Sequence, residues 1–558
     1  MPNTSQNDVP KKDVLDHAAP LSPRRILRSV LVVMFGFGLT KLISLGQVLI
    51  IANRFGARAD YDSFVAANTA PARLVTLIAG GALTVAFIPV FSGLLNRRDG
   101  EGAWRLASQV FNTLLVITIT LSILIALFAH PLIEYVIAPG FTDAAQIEQS
   151  ANLMRILTIS TVLFALSGLI SGTLNGHNHF FLPVLAPIFQ DIGLLLGVIF
   201  LTGEEQLGIY GLAWGTVLGA VLHLSIQIPG LFMFKARWFP TLGWKDPRLH
   251  EVIRLMLPRM LASGVFIINI LAINNIASRL GEGALSAFDW GLRIMDIPEA
   301  LIGTAIGFVI FPTLAAMTEL KQENERRQLF SEAVRFIFVA TIPAAAGMLL
   351  IGRPATDILF VDNQEADLVY ASVQVFALAL VFQAVHEVVA RAFYAQKDTF
   401  IPLLVSIAGM IGAVLGMVIA YNVYLQSDWP LASPFVVGIP AMGYLISFII
   451  ELGLLTYILK QRWQDLDEAR VIQAILRTLA ATVLMAIPVL IIDNLLTEMW
   501  LGERTRLTGL IRVGIGSTAG LIFFFIGAML FNLQEVKRLP KLFRHRHEST
   551  LAIEGAGV

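Results

Sequence analysis

The sequence predicts an all-α polytopic membrane protein of about fourteen transmembrane helices, built as two parallel six-helix lobes followed by two C-terminal helices. Three observations lead there. The 558 residues are 56% hydrophobic and only 14% charged, against a usual charged share of about 25% in soluble domains, and the mean hydropathy is +0.73. Apolar runs long enough to span a bilayer recur throughout the chain. A two-span pattern near the N-terminus also returns in the second half: Arg54-Phe55-Gly56, a polar turn and a small-residue-rich run ending at Ile88-Pro89 match Arg279-Leu280-Gly281 and a run ending at Phe311-Pro312. In each copy glycine caps a helix and arginine sits at headgroup level.

Taken in order, residues 1–25 carry Lys11, Lys12, Arg24 and Arg25 and read as a disordered cytoplasmic tail. The apolar run after them is roughly 27 residues long, beyond the roughly 7–15 of a cleavable signal core, and is a retained first helix. The expected spans are 26–53, 61–94, 104–132, 149–175, 180–201, 207–234, 250–279, 284–317, 328–351, 368–394, 400–424, 438–459, 471–497 and 507–532. They divide into a first lobe (26–234), a second lobe (235–460), two extra spans (461–533) and a cytoplasmic tail (534–558). Several runs exceed the bilayer thickness and are expected to tilt or bend.

Charge sorting sets the orientation, because Lys and Arg collect in cytoplasmic loops. With both termini cytoplasmic, Arg97, Arg98, Lys235, Arg237, Lys245, Arg248, Arg326, Arg327, Lys460, Arg462, Lys537, Arg538, Lys541 and Arg544 fall inside. The loops 138–143, 203–205 and 362–367 fall outside and are acidic or neutral. A second internal match supports the repeat: LNGHNHFFLPVLAPIFQDIGLLLG (174–197) aligns without a gap on FYAQKDTFIPLLVSIAGMIGAVLG (393–416). Both matches pair span n with span n+6 at an offset of roughly 220 residues. Six is even, so the two copies share one orientation.

Ionisable residues inside spans cost about 2.5–3.5 kcal/mol on insertion scales, so they face a protein interior or a watery cavity. Arg293 lies inside span 8 with Asp289 at i−4 and Asp296 at i+3, on one helix face. The three form either a structural ion pair or a cavity cation for an anionic ligand, a task that suits guanidinium geometry. Lys41 and Gln47 in span 1 and Arg73 in span 2 occupy the corresponding hairpin of the first lobe and are further substrate-binding candidates. Asp62 starts span 2, where the helix dipole favours a carboxylate; with Asp289, Asp296 and the His386-Glu387 pair of span 10 it is a candidate for gating or coupling. His386 and Glu387 form either a proton relay or a buried, mutually satisfied pair, and the same alternatives apply to Asp191 and His223. A zinc-protease reading fails because residue 390 is alanine. His177-Asn178-His179 corresponds to Gln396-Lys397-Asp398 in the repeat and is a turn rather than a metal loop. The chain has no cysteine, which excludes disulfides and thiolate chemistry, and it has no phosphate-cradling glycine loop or nucleophile–base set. It is expected to be neither an enzyme nor an ATP-driven pump, and to bind no metal, cofactor or nucleic acid; energy would come from a coupling ion or the membrane potential.

Several motifs, in order, resemble those of the MurJ/MviN lipid II flippases. They are Arg54-Phe55-Gly56-Ala57, Asp62-Ser63-Phe64-Val65-Ala66-Ala67, Pro71, Ala79-Gly80-Gly81-Ala82 and Ala86-Phe87-Ile88-Pro89, then Ala138-Pro139-Gly140-Phe141, Leu292-Arg293-Ile294-Met295-Asp296-Ile297-Pro298, Phe311-Pro312 and Phe393-Tyr394-Ala395-Gln396-Lys397-Asp398-Thr399. The similarity runs from about residue 26 to about residue 530. It implies the MOP exporter fold, two six-helix lobes around a central cavity with two extra helices forming a groove for a lipid tail. It also implies export of an undecaprenyl-pyrophosphate-linked peptidoglycan precursor by alternating access, by a monomer in the bacterial cytoplasmic membrane. The chain departs from the family at the implied site. Lys41 and Gln47 stand where the family has arginines in span 1, Val75 and Gly80 replace an arginine and a glutamate of span 2, and Arg293 matches outright.

Two other functions fit the class. A MATE-like or polysaccharide-exporter-like relative would carry another substrate, and a cation antiporter would line its site with carboxylates and aromatics, where this hairpin offers Lys41 and Arg73. A non-transporting envelope scaffold would tolerate the lost arginines, but has no need of Arg293 or of long tilted spans.

Overall fold

The computed structural model describes residues 43–78, 82–203, 206–360, 362–431, 433–499 and 503–537. Within them the chain forms α1 (Ile43–Phe55), α2 (Ala59–Ile78), α3 (Ala82–Asn96), α4 (Gly100–Leu127), α5 (Ala144–Gly176), α6 (Phe181–Leu201), α7 (Ile209–Met233) and α8 (Pro247–Ser278). Then follow α9 (Ala284–Glu319), α10 (Glu323–Leu359), α11 (Asn363–Ala395), α12 (Phe400–Leu425), α13 (Ile439–Trp463), α14 (Glu468–Met499) and α15 (Arg506–Leu530). Eleven described helices are long and apolar enough to cross a membrane, and three shorter apolar segments, Ile43–Phe55, Ala86–Asn96 and Ser263–Ser278, fall on expected spans 1, 2 and 7. The tail 1–25 and most of the tail 534–558 lie outside the described residues, as does Lys41.

Four helices start a few residues before the apolar runs that announce them, and an aspartate is the reason. Asp99, Asp143, Asp246 and Asp362 cap α4, α5, α8 and α11, each carboxylate accepting from a backbone N–H of the first turn. The polar first turn is thereby helical, although hydropathy alone excludes it. The long α9 is not uniform: after Pro298, which has no N–H to donate, residues Ala300–Thr304 take a π-helical turn before the helix resumes.

The repeat is visible in the turns as well as the helices. Gly56 and Gly281, Arg98 and Lys321, Asn178 and Lys397, and Lys235 and Gln464 all have positive φ, and each pair is separated by the repeat offset of roughly 220 residues. The helices α6 and α12 both begin two residues before a proline, at Phe181-Leu182-Pro183 and Phe400-Ile401-Pro402, where a missing N–H costs nothing. Glycine faces let α6 and α7 approach closely: a Cβ on Gly193 or Gly197 would overlap the backbone of Gly219 or Gly215.

Packing differs between the two ends of the molecule. At one end a single hydrophobic cluster unites both halves, with Ile51, Tyr61, Ala138 and Met154 from the first and Ile273, Trp290, Phe376 and Tyr444 from the second. At the other end the core divides into two. One cluster holds Phe87, Phe91, Leu106 and Leu169 together with Leu249 and Val252 of α8, and the other holds Leu314, Val334, Val388, Leu455 and Trp463. The first turns of α8 therefore pack with the first half of the chain. The halves are joined at one end and separate toward the other, which makes a cleft.

The extra helices α14 and α15 pack on each other and on α10, through Met485, Val489 and Ala519 and through Ala481, Ala528 and Val339. The cluster with Val339 also buries Leu533 and Val536. Arg335 of α10 pairs with Asp467 at 3.3 Å and with Glu535 at 3.2 Å, so the chain beyond α15 is tied down as far as Val536.

Candidate substrate site between the lobes

The joined end is a latch built from carboxylates of one half and backbone of the other. Asp62, 1% exposed, does more than start its own helix. Its Oδ2 accepts from Gly283 N at 2.6 Å, and its Oδ1 accepts from Ser286 N at 2.7 Å and from Ser286 Oγ at 2.5 Å. It thus caps α9 from the opposite half of the chain. Ala59 N donates to Glu282 at 3.1 Å, Ala57 N donates to Glu365 at 3.2 Å, and Arg58 also pairs with Glu365. Gly56 ends α1 with φ of 61°; besides its left-handed backbone, any side chain there would run into the Glu365 carboxylate. Asn274 Nδ2 donates to Thr69 Oγ1 at 2.6 Å, and Gly140 N donates to Ser278 Oγ at 3.2 Å.

Arg293 lies just inside this latch, on α9. Its Nε donates to Asp289 Oδ2 at 2.7 Å, yet 43% of the side chain remains exposed. The same Oδ2 accepts from the Tyr61 hydroxyl, at 2.9 Å, across the lobe boundary. Tyr61 in turn stacks on Trp290, with centroids 4.6 Å apart, and the Trp290 indole N–H donates to Gly56 O at 3.0 Å. Tyr61 is 1% and Trp290 0% exposed, so the aromatic pair is a fixed wall behind the arginine. Arg73 approaches from α2, its guanidinium 5.6 Å from the Phe266 ring, with Asp289 and Tyr444 as electrostatic neighbours. The Nε of Arg73 is buried and finds no hydrogen-bond partner among the described residues. Guanidinium groups from both halves thus share Asp289 as an electrostatic neighbour at the joined end, Arg293 through a direct bond and Arg73 through the field of its charge. Asp296 is also an electrostatic neighbour of Arg293.

The other singled-out residues are placed elsewhere. Gln47, 7% exposed, donates to the backbone carbonyl of Asp191 at 2.5 Å, and the Asp191 carboxylate accepts from Ser44 at 3.0 Å. Gln47 therefore ties α1 to α6. His223 shares a polar network with Ser167, Gln227 and Ser171 inside the first half. His177 is sandwiched between Trp104 and Phe234 in the turn after α5, and burial pushes its imidazole below the usual value.

His386 and Glu387 are not a mutual pair. His386 Nε2 lies 3.2 Å from Glu451 of α13, whose carboxylate also accepts from Ser406 and Ser447. Glu387 pairs instead with Arg391 at 3.1 Å. Adjacent residues on a helix project about 100° apart, so each meets a different neighbour. Arg391 fits beside Gly307, where any side chain would strike the guanidinium. Glu299, 6% exposed, accepts from Thr304 and has Glu387 and Arg391 as electrostatic neighbours. Sequence reasoning missed Tyr61, Glu299, Glu365, Arg391 and Glu451. Glu299, Arg391 and Glu451 lie within expected spans and were accessible to the same insertion-cost argument as Arg293, whereas Glu365 in the outside loop and Tyr61 in a helix start give no such signal.

Residues 51–508 match the family model described as "Lipid II flippase MurJ". The chain belongs to the MurJ family. Among its relatives, the lipid II flippase MurJ of Burkholderia cenocepacia is 27% identical over 397 residues, covering 69% of this chain and 76% of the relative. The probable lipid II flippase MurJ of Haemophilus influenzae is 29% identical over 398 residues, covering 67% and 76%. Among solved structures, a lipid II flippase MurJ in an inward closed conformation superposes with a TM-score of 0.72 at 20% identity, covering 89% of this chain and 99% of that one. A multidrug resistance MATE family transporter of the MOP superfamily reaches 0.63 at 16% identity, covering 77% and 96%. The two lobes expected from the repeat, and the MOP exporter fold that the resemblance implies, are thus the fold of this MurJ family member, with the MATE likeness the weaker of the two.

Proposed function

We propose that this protein is a flippase that moves lipid II, a polyprenyl-pyrophosphate-linked peptidoglycan precursor, across the bacterial cytoplasmic membrane by alternating access, without catalysing a chemical step. The observation that carries the proposal is Arg293, half-exposed inside a span beside the joined end of the two halves, with Arg73 of the other half sharing Asp289 as an electrostatic neighbour, in a chain of the MurJ family. A pyrophosphate headgroup needs a hydrated, cationic refuge in the membrane, and two guanidinium groups from opposite lobes supply one. The prenyl tail of roughly 50 carbons cannot leave the lipid, since burial is worth about 0.8 kcal/mol per CH₂. It stays in the bilayer while the head crosses, so the cleft must open laterally. The α10–α14–α15 packing unit is the natural wall for the tail. Its loop end is held to the lobes by Arg504, which bonds Asp367 of α11 at 3.3 Å, and by Arg506, which bonds Asn53 of α1. Arg73 and Arg293 bring a guanidinium from each half to this region, which favours an anionic headgroup over the organic cation of an antiporter.

In this reading residues 26–234 and 235–460 are the two moving lobes, both termini are cytoplasmic, and the latched end faces the periplasm. Cytoplasmic reporters fused at residues 98, 240 and 463 are expected to be active, and periplasmic reporters at 143, 204 and 363. A single inverted signal within the series would overturn the orientation. The decisive test of substrate is complementation: expression in cells depleted of their own lipid II flippase is expected to restore growth, and failure despite normal membrane abundance would remove lipid II as the cargo.

A further inference from the structure

Asp289 occupies an unusual position, because one of its oxygens serves two masters. Oδ2 accepts from Arg293 Nε on its own helix and from the Tyr61 hydroxyl on the other lobe. Arg73, from the same lobe as Tyr61, counts this carboxylate among its electrostatic neighbours. We infer that Asp289 is an internal counter-ion standing in for the substrate's phosphate, and that its displacement from Arg293 by an anionic headgroup loosens the Tyr61–Asp289 bond and thereby unlatches the closed end. The inference rests on the flippase reading, and it supplies the link that reading lacks.

The physical case has three steps. First, a guanidinium within a membrane span needs a negative partner even where water reaches it, and before substrate arrives Asp289 is that partner. Second, a pyrophosphate that pairs with Arg293 brings further negative charge to within a few ångströms of Asp289, and like charges at that range repel strongly in a low-dielectric cleft. Once Asp289 loses the arginine, the tyrosine hydroxyl alone holds it, and that bond reaches across the lobe boundary. Third, a ligand shifts a conformational equilibrium only through differential affinity for the two states. Here the difference is built in, because the latched state commits Asp289 to the site that the ligand must take. The stack of Tyr61 on Trp290, and of Trp290 on the Gly56 carbonyl through its indole N–H, carries the release to the α1–α2 turn, where Asp62 and Glu365 complete the latch.

The absence of native cysteine makes a direct test practicable. Spin labels on Thr142→Cys and Gln364→Cys, exposed positions beside the loops of opposite lobes, report the latch distance in nanodiscs with and without lipid II, while binding is measured separately on the same samples. In the otherwise native chain, lipid II is expected to lengthen the distance. Tyr61→Phe, which keeps the stack and removes only the hydroxyl, is expected to open the latch without ligand, shifting the closed-to-open ratio roughly tenfold. Asp289→Asn is expected to bind lipid II roughly tenfold more tightly, since no carboxylate competes for Arg293, while ligand no longer changes the distance. If lipid II binds in an Arg293-dependent manner and both variants keep the native ligand-induced change, the inference is overturned and the flippase reading stands. If lipid II does not bind the native chain at all, the flippase reading itself fails.

Discussion

Arg293→Ala is expected to abolish lipid II flipping in proteoliposomes while membrane abundance stays near that of the native chain. Charge-assisted bonds from a guanidinium to a pyrophosphate are worth roughly 1.5–3 kcal/mol, or about ten- to a hundredfold in affinity. Abundance is expected to survive for a structural reason. Arg293 is 43% exposed to the cleft, and the Asp289 it would leave behind keeps the Tyr61 hydroxyl at 2.9 Å, so no carboxylate is stranded in an apolar core. Arg293→Lys is expected to restore only part of the flux, because a single ammonium lacks the planar fork. Arg73→Ala is expected to slow transport, and the double variant to be slower than either. A purely structural ion pair gives the opposite pattern, with low abundance and normal flux per surviving molecule. Measuring both quantities on one preparation separates the two cases, and normal flipping by the Arg73→Ala, Arg293→Ala double variant would end the anionic-headgroup mechanism.

A covalent clamp across the latch is expected to stop transport altogether. Asp62→Cys with Ser286→Cys puts a thiol at each of two positions whose side chains now bond across the lobe boundary at 2.5 Å, and a disulfide joins them once their Cβ atoms stand about 3.5–4.5 Å apart. No native cysteine competes for oxidation. Oxidised protein should be inactive and reductant should restore the flux of the reduced form, whose missing cap lowers latch stability by about 0.5–2 kcal/mol. Should the reduced double variant be inactive because Asp62 is itself required, Ala59→Cys with Glu282→Cys, bridged by a short dimaleimide, clamps the same end while sparing Asp62. Undiminished flux through a verified cross-link would mean that the latched end does not open during transport.

What hydropathy and charge decide, they decide locally. The bilayer imposes a length of apolar chain on each crossing, so the spans, their even number and the charge sorting of the loops are properties of successive stretches and can be read along the chain. The repeat belongs to the same class, since Phe181-Leu182-Pro183 and Phe400-Ile401-Pro402 adopt the same helix start because the same short sequence specifies it. Arg293 was legible too: an arginine in an apolar run is costly wherever it lies, and its helical neighbours Asp289 and Asp296 follow from the 3.6-residue period alone.

Partners across the lobe boundary were decided only by the tertiary structure. Tyr61 and Asp289 are 228 residues apart, Asp62 and Ser286 are 224 apart, and no local pattern announces either contact. The pairing of adjacent residues misled for the same reason: His386 and Glu387 are neighbours in sequence but face different helices, and their partners, Glu451 and Arg391, follow from how α11 packs on α13 and from its own next turn. The sequence thus settled that this is a two-lobed membrane protein of repeated construction with a cation held inside it. Which carboxylate neutralises that cation, and which end of the cleft is shut, depend on where whole helices come to rest against one another, a balance of side-chain packing and hydrogen bonds between segments that have no proximity along the chain.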